Sequence, residues 1–363
     1  MPVAKTLFWG SAAALAWTHV AYPAAAAALA RVRGRRVEAA DVEPTVTVIV
    51  AAHDEEPVIA RRIENLRALD YPADKLDVVV TSDASTDRTE ELAAAAGARV
   101  IRNPRGGKVA AQNRAVAETE GEIVAFSDAN ATWAPDALRQ LVRNFADPAV
   151  AYVCGKLVLQ RADGTNREGA YWRYELWLRE SESRLHSVTG GNGSIYAVRR
   201  SDYVDVDPRF GHDLSFPYLM VQRGRRAVFE PAALAYEKPT PDIETEYRRK
   251  VRMFEHCWLI TLRGRMLRGL PPVYLGEVVS HRVLRYGSGI LHLVLLGANV
   301  ALLGAGAVYA LALAVQVAFL AFAAARPGLP RYYALVTWAT VVALVNYLRR
   351  GVPATWQAAE GTR

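Results

Sequence analysis

The chain has 363 residues, more than one ordinary domain, with a formal net charge of +7 and 52% apolar residues. Two cysteines, Cys154 and Cys257, are too few and too isolated for a disulfide framework or a zinc site, and they suit a reduced compartment. The basic clusters flank apolar segments, which points to attraction toward a membrane surface and away from nucleic-acid binding.

The first element is Thr6 to Ala30, which holds no Asp, Glu, Lys or Arg and exceeds the ~20 apolar residues that a bilayer crossing needs. Arg31-Val-Arg-Gly-Arg-Arg36 follows at once and marks the cytoplasmic side. Residues 1–36 are therefore expected to anchor the chain; the alternative is a signal peptide cleaved among the small residues Ala24 to Ala30.

A domain over residues 37–261 comes next. Thr45 to Ala52 is a β-branched run, the pattern of a strand buried on both faces. After His53-Asp-Glu-Glu-Pro57 the spacing of Ile59, Ile63 and Leu66 predicts a helix. A second strand, Leu76 to Val80, runs into Ser82-Asp83-Ala-Ser-Thr-Asp87, and a helix ends at Gly97. Arg99 to Ile101 is a third strand, leading to Arg105-Gly-Gly-Lys108 and a helix from about Val109. The fourth, Ile123 to Phe126, stops at Asp128-Ala129-Asn130 before an amphipathic helix through Leu138, Leu141 and Phe145. Strands alternating with helices of this length imply an α/β fold with a mostly parallel sheet. Val150 to Gln160 and Ile195 to Val198 read as further strands and Tyr171 to Leu185 as a helix. The turn Thr189-Gly-Gly-Asn-Gly193 lies between them, and a helix begins around Asp213.

Beyond this, residues 262–285 read as an interfacial amphipathic segment and 286–350 as three membrane helices: a hairpin broken near Gly304-Ala-Gly306, then Tyr332 to Leu348. A tail, 351–363, completes the chain. In this arrangement Arg349-Arg350 falls on the outer side, against the positive-inside rule.

Acidic residues and a Gly-Gly-Lys loop stand at three of the four strand ends, where open α/β sheets bind ligands. Asp128 and Asn130, two residues apart, can turn two hard oxygens toward Mg²⁺ or Mn²⁺ holding a diphosphate. Lys108 can reach a phosphate as a point charge, although Gly106-Gly107-Lys108 lacks the rest of a P-loop. Asp83, Asp87 and Asp213 could equally be helix caps.

With these motifs the chain resembles the membrane-embedded members of glycosyltransferase family 2, the group of cellulose, chitin and hyaluronan synthases. The resemblance implies a GT-A nucleotide-sugar-binding domain flanked by transmembrane helices. It gives donor contacts to Ala51, His53 and Glu55 on the first strand and turn, and to Asp83, which meets the nucleotide base. Lys108 and Asn113 correspond to the lysine loop and the helix after it, Asp128-Ala129-Asn130 to the Asp-x-Asp metal motif, and Asp213 to the general base. Three departures stand out. Asn130 replaces an aspartate, and His212 replaces the glutamate before the base. Arg252 keeps the diphosphate-contacting arginine of the processive motif while its tryptophan is lost.

The resemblance implies an inverting transferase acting with a divalent cation on a nucleotide-diphosphate sugar, a UDP-sugar. The acceptor is a glycan or lipid-linked molecule at the cell membrane, in polysaccharide or cell-surface glycan synthesis. A partner membrane subunit is left open. The rival expectations are a membrane-tethered nucleotide-binding regulatory module and a transporter. The transporter is disfavoured because His292 alone is ionisable inside the apolar stretches after the domain.

Overall fold

The computed structural model describes residues 1–160, 169–240 and 242–355. α1 (Pro2–Ala16) passes through a π-helical turn, Trp17–Ala21, into α2 (Tyr22–Arg33), so the amino-terminal stretch is one composite helix. β1 (Val46–Ala52) is buried along its whole length, as its β-branched run requires. α3 (Ile59–Arg67), β2 (Leu76–Asp83), α4 (Thr89–Ala95), β3 (Arg99–Asn103), α5 (Lys108–Ala117) and β4 (Ile123–Asp128) then alternate as expected. β5 (Thr132–Trp133), α6 (Ala137–Val142), β6 (Val150–Leu159), α7 (Ala170–Leu185), β7 (Tyr196–Arg199), α8 (His212–Gln222) and β8 (Arg226–Glu237) complete the domain.

One eight-stranded sheet results, in the order β3-β2-β1-β4-β7-β6-β8-β5. β1 runs parallel to both β2 and β4, with Ala52 opposite Ser82 and Ala51 opposite Asp128. β7 is antiparallel to β4 and to β6, and β8 is parallel to β6. The carboxyl ends of β1, β2, β4 and β8 therefore share one edge of the sheet. Two apolar clusters cover its faces, one around Ile59, Ile63 and Leu141 and the other around Phe126, Tyr152 and Phe216.

β8 has no clear signature in the sequence, because Pro231 interrupts its run. Pairing with β6 shifts between Gly155 and Lys156 and resumes with Lys156 opposite Leu234, which takes Pro231 out of the ladder.

The carboxyl-terminal part differs from expectation. α9 (Ile243–Arg263), capped by Asp242 through Thr245 N–H at 2.8 Å, runs through the expected domain boundary at 261/262. α10 (Pro272–Glu277), a second π-helical turn (Val278–Val283) and α11 (Leu284–Tyr286) follow, and Tyr274 Oη donates to Val188 O at 2.9 Å. This stretch of the expected interfacial segment is thus docked on the domain. α12 (Ser288–Ala301), α13 (Ala307–Ala325) and α14 (Leu329–Arg350) end the described chain.

Two helices among the described residues, Pro2–Arg33 and Ala307–Ala325, are long and apolar enough to cross a membrane. The pair Pro272–Tyr286 and Ser288–Ala301, bent by 63°, would make a third. The stretch expected as a fourth crossing, 332–348, lies in α14, which packs alongside α9. Trp258 Nε1 donates to Thr340 O at 2.9 Å, and Asn346 and Arg350 reach Glu255 at 2.7 and 3.1 Å. Arg350 therefore sits against α9.

Candidate active site

The shared edge gathers the charged groups that the sequence singles out. β4 delivers Asp128 there, and Lys108, the first residue of α5, forms an ion pair with it. The glycine turn closes over both: a Cβ on Gly193 would lie 3.2 Å from Lys108 Nζ and 3.3 Å from Asp128 Oδ2. The field on Lys108 comes from Asp128, Asp213 and a third carboxylate, Glu237. Burial alone would lower its pKa, but these three carboxylates hold it above its ordinary value. One ammonium thus faces three carboxylates.

Glu237 escapes sequence reasoning because β8 does. It ends β8 as Asp128 ends β4, and it accepts a hydrogen bond from Ser194 Oγ. Burial and the neighbouring Asp128 push its pKa up to about 7. The available signal is an acidic residue ending a short apolar run, Ala232 to Tyr236. A second unexpected residue, Arg62, lies beneath Asp128, donates to Ser127 Oγ at 2.8 Å and sits 5.0 Å above the Trp133 ring. Burial brings it down to about 9, against the pull of Asp128 and Glu237. Its signal is an arginine on the apolar stripe of α3, three residues after Ile59.

The other predicted residues separate into those that line the cluster and those that brace it. Asp213 stands in the first turn of α8, and its carbonyl accepts from Gly191 N–H at 2.7 Å. His212 beside it is buried, with Nδ1 2.9 Å from Tyr196 Oη and Nε2 3.3 Å from Asn113 Oδ1. Burial, then the charge of Lys108, lowers its pKa to about 3, so a neutral imidazole adjoins Asp213. Asn113 braces the same loop, donating to Val206 O at 2.8 Å and accepting from Tyr203 Oη at 2.8 Å. Asp83 is buried and accepts from Arg105 Nη1 at 2.6 Å, Gly106 N–H at 2.7 Å and Gly107 N–H at 3.0 Å. Contact with a nucleotide base therefore requires that loop to rearrange. Gly107 has φ +93°, and a Cβ there would strike the Ala354 carbonyl of the segment after α14.

Ala51 is buried in β1 opposite Asp128. His53 Nε2 lies 3.5 Å from Asp54, which accepts from Thr86 N–H at 2.7 Å, and the Glu55 amide donates to Thr89 Oγ1 at 2.7 Å. These residues join the first turn to the Ser82–Asp87 loop. In the basic run of α9, Arg249 rather than Arg252 acts on Glu237. Arg252 is lowered by burial and by Arg249, with Glu255 opposing.

A divalent cation fits this set. Asp128 and Asn130 supply hard oxygens, and Mg²⁺ needs few protein ligands when substrate phosphates complete its shell. Among the described residues no three His, Cys, Asp or Glu side chains form a ready-made metal cage.

Residues 47–206 match the glycosyl transferase family 2 domain. A mannosyltransferase from Pyrobaculum calidifontis, solved with GDP-Man and Mn²⁺, superposes with a TM-score of 0.74 at 25% identity, covering 94% of this chain and 99% of its own. The sheet and its helices are those of the GT-A class of nucleotide-sugar transferases. A beta-monoglucosyldiacylglycerol synthase of Synechocystis sp. is 34% identical over 163 residues, 42% of this chain and 33% of the synthase. An N-acetylglucosaminyltransferase of Rhizobium meliloti is 26% identical over 291 residues, 69% of this chain and 66% of the relative. The chain thus spans about a third of the synthase's length. Asp213, Glu237, Arg249 and Arg252 all lie beyond the matched family domain.

Proposed function

We propose that the protein is an inverting glycosyltransferase that moves a sugar from a nucleotide-diphosphate sugar to a glycan or lipid-linked acceptor at a membrane surface. The observation that carries this reading is the meeting of Asp128, Lys108 and Asp213 at the carboxyl edge of the sheet, with Glu237 beside them. The Lys108–Asp128 pair can exchange partners, the carboxylate for a divalent cation and the ammonium for the diphosphate that the cation brings in. Asp128 and Asn130 would hold Mg²⁺ or Mn²⁺, which when bound neutralises charge on the leaving diphosphate. Lys108, released from Asp128 by the incoming ligand, binds a phosphate oxygen, with Arg249 and Arg252 behind it. Asp213 accepts the proton of the attacking acceptor hydroxyl. One base and one in-line displacement invert the anomeric centre.

UDP-sugars are the proposed donors, and the GDP-Man of the Pyrobaculum enzyme makes GDP-mannose the competing candidate. The test incubates purified full-length protein with UDP- and GDP-sugars and Mn²⁺ and follows release of nucleoside diphosphate. Donor-dependent release that is lost in Asp128→Ala is expected. Binding of a nucleoside diphosphate with no turnover on any acceptor fraction would favour the regulatory-module reading instead.

A further inference from the structure

The turn Thr189–Gly193 is gripped from two sides by arginines that the proposed chemistry does not use. Arg179, on α7, is 7% exposed and donates through Nη2 to Gly191 O at 3.2 Å. Its Nε and Nη1 are buried with no hydrogen-bond partner among the described residues, and its guanidinium lies 5.6 Å over Phe229. Arg282, on the second π-helical turn, donates through Nε to Thr189 Oγ1 at 2.9 Å. It is half-buried, and a Cβ on Gly190 would come within 2.9 Å of its Nη2 and 3.3 Å of Leu214 Cδ2. Tyr152 Oη, against Gly191, is a further buried group with no partner.

Neither arginine makes an ion pair among the described residues. The carboxylates that act on Arg282 from a distance, Glu182 and Glu175, are held by His281, Arg285, Tyr22 and Thr189. Buried donors without acceptors are rare and mark a missing partner, and guanidinium groups select oxyanions. The place is specific. Gly191 N–H is bonded to the carbonyl of Asp213, and Asp213, Arg179 and Arg282 all act on Cys154 between them. Arg282 arrives on the stretch that leads directly into the apolar α12.

We infer that Arg179 and Arg282, bracketing the Thr189–Gly191 backbone beside Asp213, form an anion subsite that takes a phosphate ester carried by a lipid acceptor. This rests on the transferase reading and adds the acceptor's chemistry to it. Arg282 is the more exposed of the two donors and Arg179 the buried one, and the glycines let both guanidinium groups approach the backbone of the turn.

The test measures binding to the full chain in a neutral maltoside detergent, with decyl phosphate, inorganic phosphate and decanol as probes. Affinity for UDP or GDP with Mn²⁺ is measured in parallel. Decyl phosphate is expected to bind more tightly than inorganic phosphate, and decanol not to bind. Arg282→Gln should weaken decyl phosphate about 10- to 100-fold, the range of a hydrogen bond to a charged group, with nucleotide affinity unchanged. Gly190→Ala, which displaces the guanidinium but keeps its charge, should weaken it in the same direction, and this variant decides the matter if Arg282→Gln does not fold. Unchanged decyl phosphate affinity in folded Arg282→Gln or in Gly190→Ala overturns the subsite. Loss of nucleotide affinity instead would assign Arg282 to the donor. Equal affinity for inorganic phosphate would overturn the lipid source. Wild type that binds nucleotide but not decyl phosphate sinks this inference alone, whereas failure to bind any nucleotide sinks the transferase reading.

Discussion

Two clusters of buried charge among the described residues differ in how their carboxylates are paired. Behind α7, Glu182 accepts from Tyr22 Oη at 2.6 Å and Thr189 Oγ1 at 2.9 Å and faces His281 Nδ1 at 2.7 Å. Glu175 takes Arg285 and lies 3.2 Å from His281 Nε2. Partners from α2, the second π-helical turn and α11 hold this pair, and burial, which would raise both carboxyls, is outweighed so that they lie below their ordinary range. Glu277 beside them is the exception, buried with neither oxygen bonded among the described residues. Around Lys108 the same burial has the opposite outcome: Glu237 is pushed up to about 7 by burial and by Asp128, against Lys108 and Arg249. Direct contact separates the two clusters. The first is closed by ion pairs to Glu175 and Glu182 and joins helices, whereas the second is open, with Glu237 near cations but in an ion pair with none among the described residues.

The strongest way to break this contrast is to remove the base. Asp213→Asn should cut turnover by about 10²–10⁴-fold while nucleoside diphosphate affinity, measured by calorimetry, stays at wild type. Asparagine caps a helix about as well as aspartate, so unchanged turnover would return Asp213 to a capping role.

In the closed cluster the expected loss is stability. Glu182→Ala strands His281, Tyr22 and Thr189 and should destabilise the fold by about 3–5 kcal/mol, read from denaturation in detergent. Glu237→Gln, in the open cluster, should leave stability close to wild type and lower turnover. An equal loss of stability in both variants would erase the distinction.

Acid provides a gentler probe. His212 stays neutral in the folded chain down to about pH 3, whereas an unfolded histidine takes up a proton below about 6.5. Its folded pKa is the lower one, so its contribution is fully present above about pH 6.5. It is lost as pH falls from there toward 3, at up to about 1.4 kcal/mol per pH unit. His212→Gln should flatten the stability profile between pH 6.5 and 4.5. Glu175 and Glu182 add their own loss only below about 4.5, since their folded values are depressed. A profile identical to wild type would mean that His212 titrates normally.

The smallest effect belongs to the metal pair. Asn130→Asp exchanges a neutral oxygen for a carboxylate and should lower the Mn²⁺ concentration for half-maximal turnover severalfold, with the maximum little changed. A higher requirement would place Asn130 outside the ion's reach.

The βα half of the domain was legible because each strand is a short apolar run that ends in a functional residue. Val46 to Ala52 and Ile123 to Asp128 announce both the sheet and the edge where the charges collect. Asp128, Lys108 and Asp213 do converge on one cluster. The rest depended on long-range contacts that carry no local periodicity. β8 hides behind Pro231, and with it Glu237. Arg62 reads as half of an ordinary Arg-Arg surface pair until Trp133 and Ser127 are placed over it. α14 has a span's length and much of its apolarity, and only its pairing with α9 shows that its carboxyl end turns back to the domain. Asp83 and Asn113 also brace loops, through Arg105 and Gly106 and through Val206 and Tyr203, contacts that no local pattern announces.

The π-helical turn at Trp17–Ala21 sets the rotational phase of the amino-terminal helix. A π turn holds one residue more than an α turn, and each residue advances a helix by about 100°. α1 can therefore aim Phe8 at Tyr309, 5.1 Å away among apolar helices, while α2 aims Tyr22 at Glu182. Without the extra residue those two directions could not both be met. Deleting one residue between Trp17 and Ala21 should leave both halves helical and rotate Tyr22 away from Glu182. Reinserting an alanine at that point should restore the contact, with thermal stability as the readout.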